Sequence, residues 1–179
     1  MKGIEMSTRA PIEKYGRSSA RPGRSRSMNG KWRVVFIAFI IIVLSGCSGK
    51  HLTVQEDNSL SLDSCLPLPC CVSSNAWLFY NHVEPFVLNM PEADAWPLIK
   101  KAVVDIPRTR IVEEDSVYIH AKCTSLVFRF VDNLELLLLP DRNLVSVRSS
   151  STFAIFDFGA NHLRVYRLRN QLKEAGIIQ

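Results

Sequence analysis

The sequence predicts an α+β fold, an antiparallel sheet of about four strands covered by helices, because strand-period and helix-period segments alternate in the order helix, four strands, helix. Two observations carry the sheet. Val117, Ile119, Ala121 and Cys123 alternate with Tyr118, His120 and Lys122, and the runs Val131–Leu139 and Leu144–Ser151 are joined by Pro140-Asp141-Arg142-Asn143, residues suited to a tight turn. The helices are carried by apolar residues spaced three to four apart at both ends of this stretch.

The first helix is expected over Pro91–Val104, with Trp96, Ile99 and Val103 inward, Lys100 and Lys101 outward, and an end before Ile106-Pro107. Pro97 must sit in its first turn or kink it. Arg110–Glu113 and Val117–Cys123 form a strand pair around Glu114-Asp115, the second strand having one buried face and one wet face. In Val131–Leu139, the segment Leu136–Leu139 is apolar on both faces, which suggests a central strand. The last helix runs from about Asn161 to Ala175, with Val165, Leu168, Leu172 and Ala175 as its apolar stripe and Gly176 as C-cap.

Ahead of this domain, residues 1–46 read as a signal peptide: Lys31 and Arg33, the uninterrupted apolar run Val34–Leu44, then small residues. Eleven apolar residues fall short of the roughly 20 needed to span hydrocarbon, so a cleaved signal fits better than an anchor helix. Leu44-Ser45-Gly46-Cys47 looks like a lipobox, with cleavage before Cys47 and transfer to its thiol of a diacylglycerol that carries chains such as palmitate. Several acyl chains hold a protein on a membrane where one does not. Met28 offers an alternative start that leaves a leader of ordinary length, and the Arg- and Ser-rich residues before it then lie outside the mature reading. Ser48 is not the Asp that retains lipoproteins at the inner membrane of enteric bacteria, so outer membrane is preferred over inner, with the domain facing the periplasm. Residues 47–64 are expected to be a polar, lipidated tether and 65–179 the globular domain.

The charge pattern bears on partners. Nine of the 22 basic and two of the 17 acidic residues lie in 1–33, so from Val34 onward 13 basic residues face 15 acidic ones. The formal charge of +5 belongs to the leader, and the folded part lacks the cationic excess that phosphate backbones require. No nucleic-acid partner is expected. The expected partners are the membrane, through the lipid anchor, and an envelope protein or an anionic ligand.

Export changes the meaning of the cysteines, since thiols pair in oxidising compartments. Beyond Cys47 stand Cys65, Cys70, Cys71 and Cys123, which allow three complete pairings that sequence cannot separate. Cys65 with Cys71, closing a short loop, is the favoured pair. A zinc site would need a second pair of ligands, and His82 and His120 are solitary, so neither metal nor other cofactor is expected.

Asp132, Arg148, Ser149, Ser151, Asp157, Asn161 and Arg164 form the polar set nearest to a site. Arg148 and Arg164, with Asp157 and Asn161, are expected to converge at the start of the last helix, where unbonded backbone N–H groups favour an anion. The favoured assignment instead has Asp157 capping the helix and pairing with Arg148, while Asp132 satisfies a strand end. The activity is more readily non-catalytic, with no catalytic residue assigned: no Gly-x-Ser-x-Gly elbow occurs, and His120 and Cys123, three apart on a strand, point to opposite faces. The alternative is a hydrolase with an unrecognised site, in which His82 and Glu84 would act with Ser73 or Ser74.

Cys71-Val72-Ser73-Ser74, His82-Val83-Glu84-Pro85, Trp96, Phe128-Arg129-Phe130-Val131-Asp132, Val147-Arg148-Ser149-Ser150-Ser151 and Asp157-Phe158-Gly159 with Asn161 and Arg164 resemble the domain-of-unknown-function family 1499 (DUF1499). The likeness covers roughly Cys65 to Leu172. It implies an exported or lipid-anchored bacterial protein and brings no established reaction. The family pattern has a cysteine six positions before that of Cys-Val-Ser-Ser, which matches Cys65 and supports its bond to Cys71. This chain departs from the pattern at Thr152, Ala154 and Phe156, where Arg, Gly and Ser are typical, so a pocket built from those positions would be altered. Cys123 and Cys70 stand where an aromatic residue and Asn are common, and are read as a second disulfide or as two thiols.

Overall fold

The structure, a computed structural model, describes residues 30–32, 34, 35, 37, 52–55, 59–126, 129–152 and 158–179. Cys47 and Asp157 lie outside the described residues. Among the described residues no helix is long and apolar enough to cross a membrane.

The expected class is observed. A small hairpin, β1 (Leu52–Val54) and β2 (Leu60–Leu62), precedes a six-stranded antiparallel sheet. That sheet comprises β3 (Cys71–Ser73), β4 (Phe86–Val87), β5 (Thr109–Glu114), β6 (Tyr118–Thr124), β7 (Val131–Leu139) and β8 (Leu144–Ser151). Its order is β3-β8-β7-β6-β5, and β4 pairs the other end of the β8 edge that β3 occupies. Helices α1 (Glu92–Val104) and α2 (Ala160–Glu174) pack on one face. The sheet is thus larger than four strands. β3 and β4, three and two residues long, are too short to show a period of two and are fixed by their register with β8.

Local chemistry sets the connections. Asp115 Oδ1 accepts from the N–H groups of Val117 and Tyr118, both at 2.8 Å, closing the β5–β6 turn. Asn143, at φ 51°, takes the left-handed position after the 3-10 turn Pro140–Arg142, and the turn seats Leu139 opposite Leu144. At the end of α2, Gly176 adopts φ 69°, its N–H bonds Lys173 O, and the Ile177 N–H reaches Leu172 O. This pair of bonds is the Schellman motif, and Ile177 joins Leu172 in the core. Ala175, expected inward, is exposed because the helix ends there. Pro97 lies in the second turn of α1, inside the helix, where it withholds one backbone donor.

The core fills the space between helices and sheet. Ile119, Ala121, Leu134, Leu136, Leu138, Val145 and Val147 meet Ile99 and Val103 of α1 and Val165, Leu168 and Leu172 of α2. Each Val, Leu or Ile side chain so buried contributes about 1.5–3 kcal/mol. β7 is central, flanked by β6 and β8, as its two-sided apolar run implies. The opposite face of the sheet corrects the expectation of a wet surface: Tyr118 and His120 are buried. Leu62 of the hairpin packs on Tyr118 and Leu137, so Leu52–Val54 and Leu60–Leu62, assigned from sequence to the tether, are instead folded onto the domain.

Candidate functional site

Period-two alternation sends neighbouring residues of β8 to opposite faces, and two buried polar networks result. On the helix side, Asn161 in the first turn of α2 is wholly buried. Its Nδ2 donates to the Cys70 carbonyl at 3.0 Å and to Ser151 Oγ at 3.1 Å. Its Oδ1 accepts from Arg164 Nη1 at 2.5 Å, and Ser149 Oγ lies 2.7 Å away. Arg164, one helical turn on, also reaches Ser149 Oγ at 2.8 Å and forms an ion pair with Asp132 Oδ2 at 2.6 Å. Strand register places Asp132 beside Ser151, so one guanidinium ties α2 to both central strands.

On the other face, Glu135 and Arg148 are register partners and form a fully buried ion pair, Nη1 to Oε2 at 3.0 Å. Arg148 Nη1 also bonds Ser150 Oγ at 2.9 Å, and the Tyr118 hydroxyl donates to Glu135 Oε1 at 2.7 Å. Burial, then the Glu135 hydrogen bond and charge, push the Tyr118 hydroxyl far above its usual range, which keeps it a donor. His120 Nε2 lies 2.9 Å from Asn133 Oδ1 on this same face.

The expected convergence of Arg148 and Arg164 is therefore corrected: they occupy opposite faces of the sheet and neutralise different carboxylates, Glu135 and Asp132. Asn161 and Arg164 do meet, with Ser149 and Ser151 and Asp132, as one cluster. The role assigned to Asp157 lies outside the described residues; the N-cap of α2 is Gly159, at φ 77°. Glu135 and Tyr118 were missed because Glu135 sits in an apolar run. Counting pairs outward from the Pro140–Asn143 turn would have put Glu135 opposite Arg148.

The disulfide is Cys65–Cys71, with Cα atoms 5.7 Å apart. Cys70 and Cys123 form no second bridge. The Cys70 carbonyl pairs with Ser151, Ser151 with Asp132 and Asp132 with Cys123, three strand spacings or roughly 14 Å in all, far beyond disulfide reach. Burial raises the Cys123 thiol above its ordinary value, opposed in part by the charge of Arg164.

The residues considered for hydrolysis are occupied elsewhere. Both ring nitrogens of His82 have partners, Nδ1 with the Ala76 carbonyl at 3.1 Å and Nε2 with Glu84 Oε1 at 3.3 Å. Ser73 Oγ donates to Asp63 O, and Ser74 Oγ accepts from the Val147 N–H. The His82–Pro85 segment serves as a clasp instead: Arg169 of α2 donates to the carbonyls of Glu84 and Pro85 and lies 4.7 Å from the centre of the Phe86 ring. His120 and Cys123 are on opposite faces of β6. Among the described residues no group of three or more His, Cys, Asp or Glu side chains is placed to hold a metal.

A half-open recess of about 550 Å³ lies beside α2, with Cys123, Leu163 and Leu168 in its lining and Arg108, Arg164 and Arg167 around it. A second, of about 540 Å³, lies between the β1–β2 hairpin and the ends of β7 and β8. Neither is lined by His82 or His120.

An antiparallel α+β domain, with two helices on one face and paired charges buried on both, is the class that fold and site define. More particularly, residues 61–172 match the model of the family described as Protein of unknown function (DUF1499), and the chain belongs to that family. Neither the curated proteins nor the solved structures offer a match to it.

Proposed function

We propose that this is a lipid-anchored envelope protein, held by acylated Cys47 and facing the periplasm from the outer membrane, whose folded domain binds a partner rather than catalysing a reaction. The observation that carries the binding reading is the recess beside α2. Its lining combines an apolar floor with three arginines, of which Arg108 and Arg167 are exposed and Arg164 is already paired with Asp132. Such a lining suits an anionic group attached to an apolar body, whether a small envelope component or an acidic partner surface. The anchor reading rests on Leu44-Ser45-Gly46-Cys47 following an apolar run.

Two measurements test this. Intact mass of protein recovered from membranes of a bacterial host should begin at Cys47 and include acyl chains, which Cys47→Ala should abolish. An unprocessed chain, identical with and without Cys47, sinks the anchor. For binding, titration of the mature protein with inorganic phosphate should shift the amide resonances of Cys123, Leu163 and Arg167. Arg108→Gln with Arg167→Gln should remove those shifts without unfolding the domain. Absence of any shift in the native protein rejects the anionic ligand.

A further inference from the structure

The segment 64–81 contains no charged residue and displays several large apolar side chains to solvent. Leu66, Trp77, Phe79 and Tyr80 are 61, 74, 89 and 40% exposed. A scatter of single apolar side chains on a surface is ordinary, whereas several on one loop call for an explanation.

This loop is firmly built. The Cys65–Cys71 disulfide ties its first limb to β3. Asn81, almost fully buried, donates from Nδ2 to the carbonyls of Leu68 at 2.8 Å and Cys71 at 2.7 Å, and its own carbonyl accepts the Ser73 N–H at 2.9 Å. His82 fastens the Ala76 carbonyl. Small residues fill the inside, where Cys65, Cys70, Cys71 and Ala76 pack together, and the large ones are left outside. Display of the aromatics is thus a consequence of the fold rather than of a loose loop.

Position supplies the occupant. Ser73 Oγ bonds the Asp63 carbonyl, so the chain enters the sheet from β2 directly beside this loop. Leu52 is the register partner of Leu62, and only the four residues Ser48 to His51 separate Cys47 from Leu52, five chain steps with a reach of roughly 17 Å at full extension. An acylated Cys47 therefore holds this edge of the domain close to the bilayer. Trp and Tyr have an apolar body and a polar tip and favour the headgroup boundary, and an uncharged segment enters it without burying charge.

We propose that the loop 64–81 is a membrane-contact surface, seating Leu66, Trp77, Phe79 and Tyr80 at the boundary between headgroups and acyl chains of the bilayer that anchors Cys47. This rests on the lipid-anchor reading above and adds to it a fixed orientation of the domain. Cleavage before Cys47 removes Trp32, so Trp96→Phe leaves Trp77 as the sole tryptophan of the mature protein. The full chain, processed and lipidated in a bacterial host, would be reconstituted into phosphatidylcholine vesicles with and without dibrominated acyl chains. The expected result is loss of most Trp77 emission in the brominated vesicles and a shift to shorter wavelength in the others, both weakened by Phe79→Ser. Unquenched emission from protein that floats with the vesicles overturns the proposal while leaving the anchor intact, and assigns the patch to a protein partner. Protein that fails to float overturns anchor and seat together.

Discussion

Ser149 and Ser151 face α2, whereas Arg148 and Ser150, alternating with them on the same strand, face the hairpin side of the sheet. The two interiors solve the burial of charge differently. On the hairpin side Glu135 and Arg148 are 0 and 2% exposed and close on each other, with Tyr118 completing the carboxylate. On the helix side the Arg164 side chain keeps 11% of its surface and borders the recess, while its guanidinium spans Asp132, Ser149 and Asn161. The first network is sealed and joins strand to strand. The second joins helix to sheet at the margin of a cavity, where a small displacement of α2 would change the cavity's shape.

The comparison is broken most directly at Glu135. Glu135→Ala leaves Arg148 buried without its carboxylate, and removing one partner of such a pair typically costs about 3–5 kcal/mol. Denaturant unfolding should show a loss of that size. Replacing both members by apolar residues, Glu135→Leu with Arg148→Met, should restore most of it, because the cost arises from the stranded charge rather than from the absent attraction. If the double variant is as unstable as the single one, the network is holding strand register and not merely neutralising itself.

The helix-side network should yield less. Asn161→Ala removes the amide that bridges Cys70 O, Ser151, Ser149 and Arg164, and unmade buried hydrogen bonds cost about 1–3 kcal/mol. Because α2 borders the recess, the same change should alter phosphate-induced shifts there, whereas Glu135→Ala, measured under conditions where it stays folded, should not. Equal disturbance of the recess by both variants would erase the distinction between the two faces.

Much of this architecture was legible because it repeats. The stripes of α1 and α2, the alternation in β6 and the turn residues at Pro140–Asn143 each state their geometry several times over, and the register of β7 with β8 follows from the turn. What escaped was what occurs once. β3 and β4 are too short to have a period, and Leu60–Leu62 is a brief apolar run in a polar stretch whose role depends on Tyr118 and Leu137 far along the chain. The candidate site was half legible for the same reason. Asn161 and Arg164 share a helix face, so their meeting could be read locally. That Arg148 turns away from them was implied by strand alternation from Ser149, yet its partner Glu135 was hidden in the run Leu134–Leu139.

The smallest expected effect uses one titrating group from each face. Tyr118 on the hairpin side and Cys123 on the helix side both have proton affinities raised by burial in the folded state. At neutral pH both are protonated whether the chain is folded or not, so neither makes stability depend on pH there. Above about pH 8.5, the unfolded thiol loses a proton that the folded one retains; above about pH 10 the same holds for the phenol. Where the unfolded state binds fewer protons, stability falls as pH rises, by at most about 1.4 kcal/mol per pH unit for each group. Cys123→Ala should therefore flatten the pH dependence of stability first, between roughly pH 8.5 and 10, and Tyr118→Phe only above that. The order matters more than the size. If Cys123→Ala leaves the lower range unchanged, the folded thiol ionises as readily as the unfolded one, and the helix-side face admits water to Cys123 rather than burying it.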